Sequence, residues 1–339
     1  MLNKAVIDLK AITDNALAVK KLLPSRTKLC AVVKADGYGH GAVKIANALY
    51  GICDSFAVAL PEEGIELRLG GIDKEILVLA RPQKEDIARS VYYGLTLTAA
   101  RAEDVLLAER EGAKQHSAVR AHIKYNTGMN RLGADTQAEL LNLIRLAKGS
   151  GHVKITGLYS HYAAPEDPAL RAAQTERFIR AVEAARAEAG DITAHISASG
   201  GFLAGEYFDM VRIGILLYGY SPFETDKIKV RPAMKIYAPV IAERRLKAGE
   251  SAMYGNFPAL RETDIRIIRY GYADGLPRKR AAGQFNNRCM DVTAVISGKK
   301  GGKYYPVLTD AAALARSYGT ISYEILTKAA LRAEKIYRY

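Results

Sequence analysis

Lys34 closes an apolar run and opens a glycine-rich turn, in the segment AVVKADGYGHG (Ala31–Gly41). An amine at the end of an apolar strand is partly desolvated. That lowers its pKa and makes it a nucleophile able to form a Schiff base. A lone lysine at a strand end more often snorkels to solvent. Here the flanking glycines let the backbone approach a ligand, and Tyr38 supplies a hydroxyl. Lys124 ends the fifth apolar run, seven residues before Arg131. His161 and Ser199 follow two further runs, and Arg212, Gly214 and Ile215 lie in another. Taken singly, Ser199 reads as a helix cap and Gly214 as a turn residue. As a set with Ile215 they offer a hydroxyl and backbone N–H groups to a phosphate.

The elements that must position these residues alternate regularly. Eight short apolar runs recur: Leu29–Val33, Phe56–Leu60, Ile76–Ala80, Leu95–Thr98, Val119–Lys124, Ile155–Ser160, Ile192–Ser197 and Val211–Leu217. Between them lie stretches rich in helix formers, among them Glu62–Leu69, Ala102–Glu111, Thr136–Leu146 and Gln174–Ala189. An opening helix is expected over Asp8–Leu23, before Pro24. Strands alternating with helices predict parallel βα units, and eight of them predict a (β/α)8 TIM-like barrel. In such a barrel the ends of the runs converge at one mouth, where active sites sit. From Arg231 onward the helical stretches disappear. Ile236–Arg244, Thr263–Arg269, Asp291–Ile296 and Tyr304–Leu308 read as strands, and Gly298–Lys303 as a turn. The expected division is α/β: a barrel over residues 1–225, its first few residues pairing with the second domain, and a mostly β domain over 226–339.

Composition narrows the class. The 339 residues are 49% hydrophobic and 25% charged, enough to bury a large core. No apolar run is long enough to span a bilayer, so no membrane partner is expected. The N-terminus lacks the h-region of a signal peptide, which makes a cytoplasmic location the expectation. Cys30, Cys53 and Cys289 form neither a zinc spacing nor a disulfide framework, which fits a reducing compartment without a metal site. The net charge of +13 raises nucleic acid as a partner. Yet the basic residues are dispersed, the clusters in LPRKR (Leu276–Arg280) and GKKGGK (Gly298–Lys303) are short, and no nucleic-acid motif accompanies them. A basic surface that attracts anionic metabolites is the plainer reading.

The sequence resembles the alanine racemase family through ordered blocks that cover nearly the whole chain. They are AVVKADGYGHG, HIKYNTGMNRLG (His122–Gly133), GLYSHYA (Gly157–Ala163), HISASGG (His195–Gly201), VRIGILLYGYSP (Val211–Pro222), SAMYG (Ser251–Gly255), GYADGLPR (Gly271–Arg278), RCMD (Arg288–Asp291) and ISYEIL (Ile321–Leu326). The resemblance implies pyridoxal 5'-phosphate (PLP) as cofactor and a fold-type III enzyme. It implies that Lys34 holds the cofactor and acts as one base, and that Tyr38, Ser199, Gly214, Ile215 and Tyr323 hold the phosphate. Arg212 is expected at the ring nitrogen. Arg131 is expected at the substrate carboxylate, and Lys124 as a carbamylated lysine that holds it. Tyr254 is expected as the second base, oriented by His161, with Tyr272 and Met290 completing the substrate pocket. It also implies a homodimer in which Tyr254, Tyr272 and Met290 reach into the partner's site. Two bases suit racemisation, because one base is poorly placed to serve both faces of Cα.

Three departures stand out, one of them a C-terminal region that is short for the family, with compact loops between Cys289 and Tyr323. Ala198 occupies the place before Ser199 where the family often has Asn, and the chain contains no Trp. The implied reaction is interconversion of L- and D-alanine, in D-alanine biosynthesis. The alternatives are a racemase for another amino acid such as serine, a PLP-binding barrel protein without racemase activity, and a decarboxylase. SAMYG, GYADG and RCMD argue against the second, and Arg212 argues against the third, because decarboxylases prefer a carboxylate at the ring nitrogen.

Overall fold

The computed structural model describes residues 1–255, 258–279, 287–297 and 302–339. Arg280 and part of the expected Gly298–Lys303 turn lie outside the described residues. The chain forms two compact units: Ile12–Gly37 with Ala42–Val230, and Met1–Ala11 with Tyr38–Gly41 and Arg231–Tyr339.

The first strand, β1 (Lys4–Asp8), belongs to the second of these units. The first unit holds β2 (Lys28–Val32), β3 (Ser55–Val58), β4 (Ile76–Val78), β5 (Leu97–Ala99), β6 (Val119–Lys124), β7 (Val153–Tyr159), β8 (Thr193–His195) and β9 (Met210–Ile213). They form two parallel sheets, β4-β3-β2-β9 and β5-β6-β7-β8. The sheets join at both edges. Leu77 and Thr96 form a parallel bridge beside β4 and β5. Asp209 N donates to Ala194 O at 3.0 Å, and Arg212 N to Ser197 O at 2.9 Å, beside β8 and β9. The eight strands therefore close into a barrel. Closure leaves no bare edge and points every strand's C-terminal end to the same mouth.

Helices separate the strands where the sequence pattern placed them, with shifts at their ends. The stretch expected from Gln174 begins at Pro168, whose missing N–H suits the first helical position, and Asp167 caps it by accepting from Ala169 N and Leu170 N. The run expected from Leu95 starts as a strand only at Leu97, because Leu95 N still bonds to Ser90 O in the preceding turn. The run expected over Val211–Leu217 breaks at Gly214 and winds into a 3-10 turn, Ile215–Tyr218. Outside β6 and β7, Leu140, Leu143, Ile144 and Phe178 pack with Ile123 and Leu158 into an apolar core.

The second unit is mostly β. It holds β10 (Met234–Leu246), β11 (Thr263–Ile268), β12 (Thr293–Ile296), β13 (Tyr304–Leu308) and β14 (Glu334–Arg338). The sheet order is β12-β11-β10-β1-β14, with β13 also on β10. β1 runs antiparallel to β10 and parallel to β14. The 13-residue β10 serves three partners by changing register at Ile236/Tyr237 and Val240/Ala242; such shifts bend a strand. One expectation fails here, since helical segments do not disappear after Arg231. Ala311–Tyr318 and Ser322–Ala329 are helices. The first is set by Asp310, whose side chain caps Ala312 N and Ala313 N, and is stopped by Gly319 in the left-handed conformation (φ 65°). No helix among the described residues is long and apolar enough to cross a membrane.

Candidate active site

Lys34 stands two residues beyond the end of β2, at the barrel mouth. The chain then makes a left-handed turn, with positive φ at Ala35, Asp36, Gly37 and Tyr38 (51°, 53°, 60° and 53°). Only glycine adopts this conformation freely, so other contacts must enforce it at the three L-residues. The Glu63 carboxylate accepts from Ala35 N at 2.6 Å and, through its other oxygen, from Ala59 N and Leu60 N. Asp36 Oδ1 accepts from Ala42 N at 2.9 Å. Burial, then Arg131, lowers the Lys34 pKa below the ordinary lysine value, while Glu63 opposes the shift.

Arg212 on β9 is fully buried and organises the floor beneath. Its Nη1 donates to His195 Nδ1 at 2.6 Å and to His195 O at 3.1 Å. Its Nη2 donates to Ser160 O at 2.7 Å, Ile196 O at 3.1 Å and His161 Nδ1 at 3.2 Å. Among the described residues Nε is the one guanidinium nitrogen of Arg212 left without a hydrogen-bond partner. Desolvation pushes the Arg212 pKa down to about 10, so it remains a cation at neutral pH. His161 is held well below the usual histidine range by burial and by Arg212, Lys124, Arg131 and Lys34. It is therefore neutral. Its Nδ1 accepts from Arg212, so its proton sits on Nε2.

Lys124, at the end of β6, is 6% exposed and lies over the Tyr159 ring, 4.5 Å from its centroid. Arg212 approaches the same ring at 5.3 Å. Burial, then Arg212 and Arg131, drives the Lys124 pKa well below its ordinary value, with no carboxylate counted among its causes. Arg131 is carried by the loop after β6. That loop is folded tightly by Gly133, where an added Cβ would lie 2.8 Å from Lys124 O and Asn126 N. Asn126 Oδ1 secures the same loop by accepting from Gly128 N and Asn130 N.

Ser199 is buried, and its Oγ accepts from Gly214 N at 3.3 Å, so these two residues lie side by side. Ser199 does not cap a helix: it is the first residue of the short helix Ser199–Leu203, and Ala198 holds the cap position. Lys34, Lys124, Arg131, His161, Ser199, Arg212, Gly214 and Ile215 thus all belong to the barrel unit.

The remaining expected residues belong to the other unit. Tyr38 and Tyr323 face each other with ring centroids 5.9 Å apart. Burial raises both phenols, Tyr323 to about 12. Tyr254 is 67% exposed, Met290 54% and Tyr272 37%. Met253 and Gly255 flank Tyr254 with positive φ, a tight presenting turn. Tyr272 and Met290 are fixed relative to one another, because Tyr272 N donates to Cys289 O and Ala273 N to Met290 O, both at 3.0 Å. Gly271 makes this approach possible, since a Cβ there would collide with Met290 O.

Sequence reasoning missed the polar filling of the barrel. His122, His195 and Tyr159 line its interior, with the Tyr159 and His195 rings stacked 5.1 Å apart and 4° from parallel. Their spacing in sequence carries no local pattern. The available signal was polar side chains on strands buried on both faces.

The fold and site define an enzyme built on a parallel barrel, with a lysine of lowered pKa and a buried arginine network at the strand ends. Residues 7–222 match the family described as alanine racemase, N-terminal domain, and residues 233–337 match alanine racemase, C-terminal domain. The chain belongs to the alanine racemase family. An alanine racemase of Staphylococcus saprophyticus is 31% identical over 98% of this chain and 93% of its own length. A solved alanine racemase of Clostridium difficile 630 superposes with a TM-score of 0.94 at 27% identity, covering 100% of this chain and 96% of that one. A complex of the same enzyme with cycloserine gives 0.90 at 27% identity, over 99% and 96%.

Proposed function

We propose that this chain interconverts L- and D-alanine with bound PLP, as a cytoplasmic homodimer whose sites are shared between subunits. The observation that carries the reading is the donor set at the mouth. Lys34 offers an amine with a lowered pKa, and Arg212 has four N–H directions used by the protein and Nε left over. The fixed charge of the surroundings is cationic, from Arg131 and Arg212, which suits a phosphorylated anion.

Residues and cofactor fit each other. Lys34 would hold PLP covalently. Ser199, the Gly214 and Ile215 backbone, Tyr38 and Tyr323 would hold its phosphate. Arg212 Nε would donate to the ring nitrogen. When bound, PLP supplies the electron sink for a carbanion at Cα. An arginine there would donate a hydrogen bond without surrendering its proton, so Arg212 would leave the ring nitrogen unprotonated and weaken the sink. Arg131 binds the substrate carboxylate. Lys34 serves one face of Cα, and the partner subunit's Tyr254 serves the other. His161 Nε2–H, set by Arg212, donates to the phenol oxygen and stabilises it when it has lost its proton. Lys124 carries CO2 as a carbamate, an anion that pairs with the Arg131 guanidinium. Burial, which lowers the Lys124 pKa, favours the unprotonated amine that adds CO2, and the proton lost on forming the carbamate passes to solvent.

The test is a racemase assay with added PLP across a panel of L-amino acids, read by chiral chromatography. Alanine should be converted in both directions and in preference to serine. Serine turned over faster than alanine, or no turnover at all, would overturn the reading.

A further inference from the structure

We propose that Glu75, acting through His122 and His195, is a positioning residue that fixes which nitrogens carry protons beneath Arg212. The proposal rests on the catalytic reading only for the importance of Arg212; the geometry supplies two hydrogen bonds, His122–His195 and His195–Arg212, and an electrostatic contact from Glu75 to His122 at 3.7 Å.

The chain crosses the inside of the barrel. At the N-terminal end of β4, Glu75 Oε1 accepts from Thr96 Oγ1 at 2.9 Å and lies 3.7 Å from His122 Nε2. His122 Nδ1 meets His195 Nε2 at 2.9 Å. His195 Nδ1 meets Arg212 Nη1 at 2.6 Å. Taken from the Arg212 end, one arrangement of protons satisfies every bond. A guanidinium only donates, so His195 Nδ1 must accept. A neutral His195 then carries its proton on Nε2 and donates to His122 Nδ1. His122 must in turn carry its proton on Nε2, facing Glu75. The carboxylate is thus the group that favours the one tautomer compatible with Arg212. If His122 placed its proton on Nδ1 instead, it would face the His195 Nε2–H. His195 would shift its proton to Nδ1 and present a donor to the Arg212 donor.

Neutrality of the two rings agrees with their surroundings. Burial lowers the pKa of both. Arg212, Lys28 and Arg120 oppose a charge on His122, with Glu75 the group that favours it. Arg212, His122 and Lys124 oppose one on His195. The ring of His122 has a place made for it: β6 pairs His122 with Gly157 on β7, and a Cβ there would lie 2.6 Å from the ring.

The experiment is a long-range 1H–15N correlation spectrum of the full-length protein, labelled at histidine nitrogens and purified with its cofactor. Its six histidines are assigned by single His→Gln variants. Wild type should show His122 and His195 as neutral Nε2–H tautomers at pH 7. A proton on Nδ1 of either ring, or a doubly protonated ring, would overturn the proposal whatever any variant does. Glu75→Leu should show mixed tautomers at both rings. Its kcat/KM for alanine should fall about tenfold, with Glu75→Gln, whose amide oxygen can still accept, within about threefold of wild type. Wild-type tautomers in Glu75→Leu would overturn the proposal even if activity or melting temperature fell, because a merely structural role moves those two alone. Failure of wild type to racemise alanine would remove the functional reading and leave the spectra to decide this one.

Discussion

Gly157→Ala probes the barrel interior at a single atom. The new Cβ would lie 2.6 Å from His122 Cδ2 and Nε2 and 2.7 Å from Cε1, against an ordinary contact of about 3.5–4.0 Å. The ring must therefore retreat by roughly 1 Å. It has little freedom to do so. His122 is bonded to His195, and His195 is stacked on Tyr159 and bonded to Arg212. Overpacking of this kind costs about 1–3 kcal/mol, and stretching the His122–His195 bond adds about 1 kcal/mol, for a total of ~2–4 kcal/mol. For a unit of this size that lowers the melting temperature by roughly 4–16 °C. Calorimetry of the purified variant reads the first quantity, and a cycle with His122→Ala reads the cause. Without the imidazole to strike, Gly157→Ala should cost under about 1 kcal/mol. Equal losses in both backgrounds would refute the steric argument, and an unshifted melting temperature would refute it outright.

Three further outcomes follow from the site. Lys34→Ala should lose the visible absorbance of covalently held cofactor together with racemisation; persistence of that absorbance would remove Lys34 from its role. Tyr254→Phe should impair proton loss from one enantiomer of α-deuterated alanine more than from the other, and mixing it with Lys34→Ala should restore some activity through heterodimers carrying one intact site; wild-type exchange from both enantiomers would exclude Tyr254 as a base. Lys124 should carry an extra 44 Da in native mass spectra, with activity falling when CO2 is rigorously removed, roughly the mass and loss expected of a carbamate. An unmodified Lys124 has a different signature: with its folded-state pKa depressed by burial, the unfolded chain binds the additional proton, so stability would rise with pH through the interval below about 10.4.

The barrel was legible because its strands are continuous apolar runs separated by strong helix formers. Val119–Lys124 and Tyr304–Leu308 coincide with β6 and β13. The helices Ala311–Tyr318 and Ser322–Ala329 were missed although Asp310 and Gly319 bracket the first of them. Eight residues make barely two turns, too few for a periodic apolar face to stand out. Lys34 and Ser199 were legible as candidates because each stands just beyond the end of a run, and Arg212 because a charged residue lies inside one. Glu75, His122 and His195 were not assigned a role, because their relation exists only once β4, β6, β8 and β9 share an interior. The left-handed turn after Lys34 was equally hidden, since Ala35 and Asp36 give no local reason to adopt it and Glu63 imposes it from 28 residues away.

That turn has a stereochemical consequence. Ala35 sits at φ 51°, ψ 52°, the mirror image of the ordinary right-handed helical conformation. The region costs an L-residue about 1–2 kcal/mol because Cβ crowds the carbonyl oxygen. For a residue of opposite chirality the crowding vanishes. A protein assembled by chemical ligation with D-alanine at position 35 should therefore gain about 1–2 kcal/mol of stability, provided that the inverted Cβ meets no new neighbour. One residue along from Lys34, the backbone is already wound in the hand that D-alanine prefers.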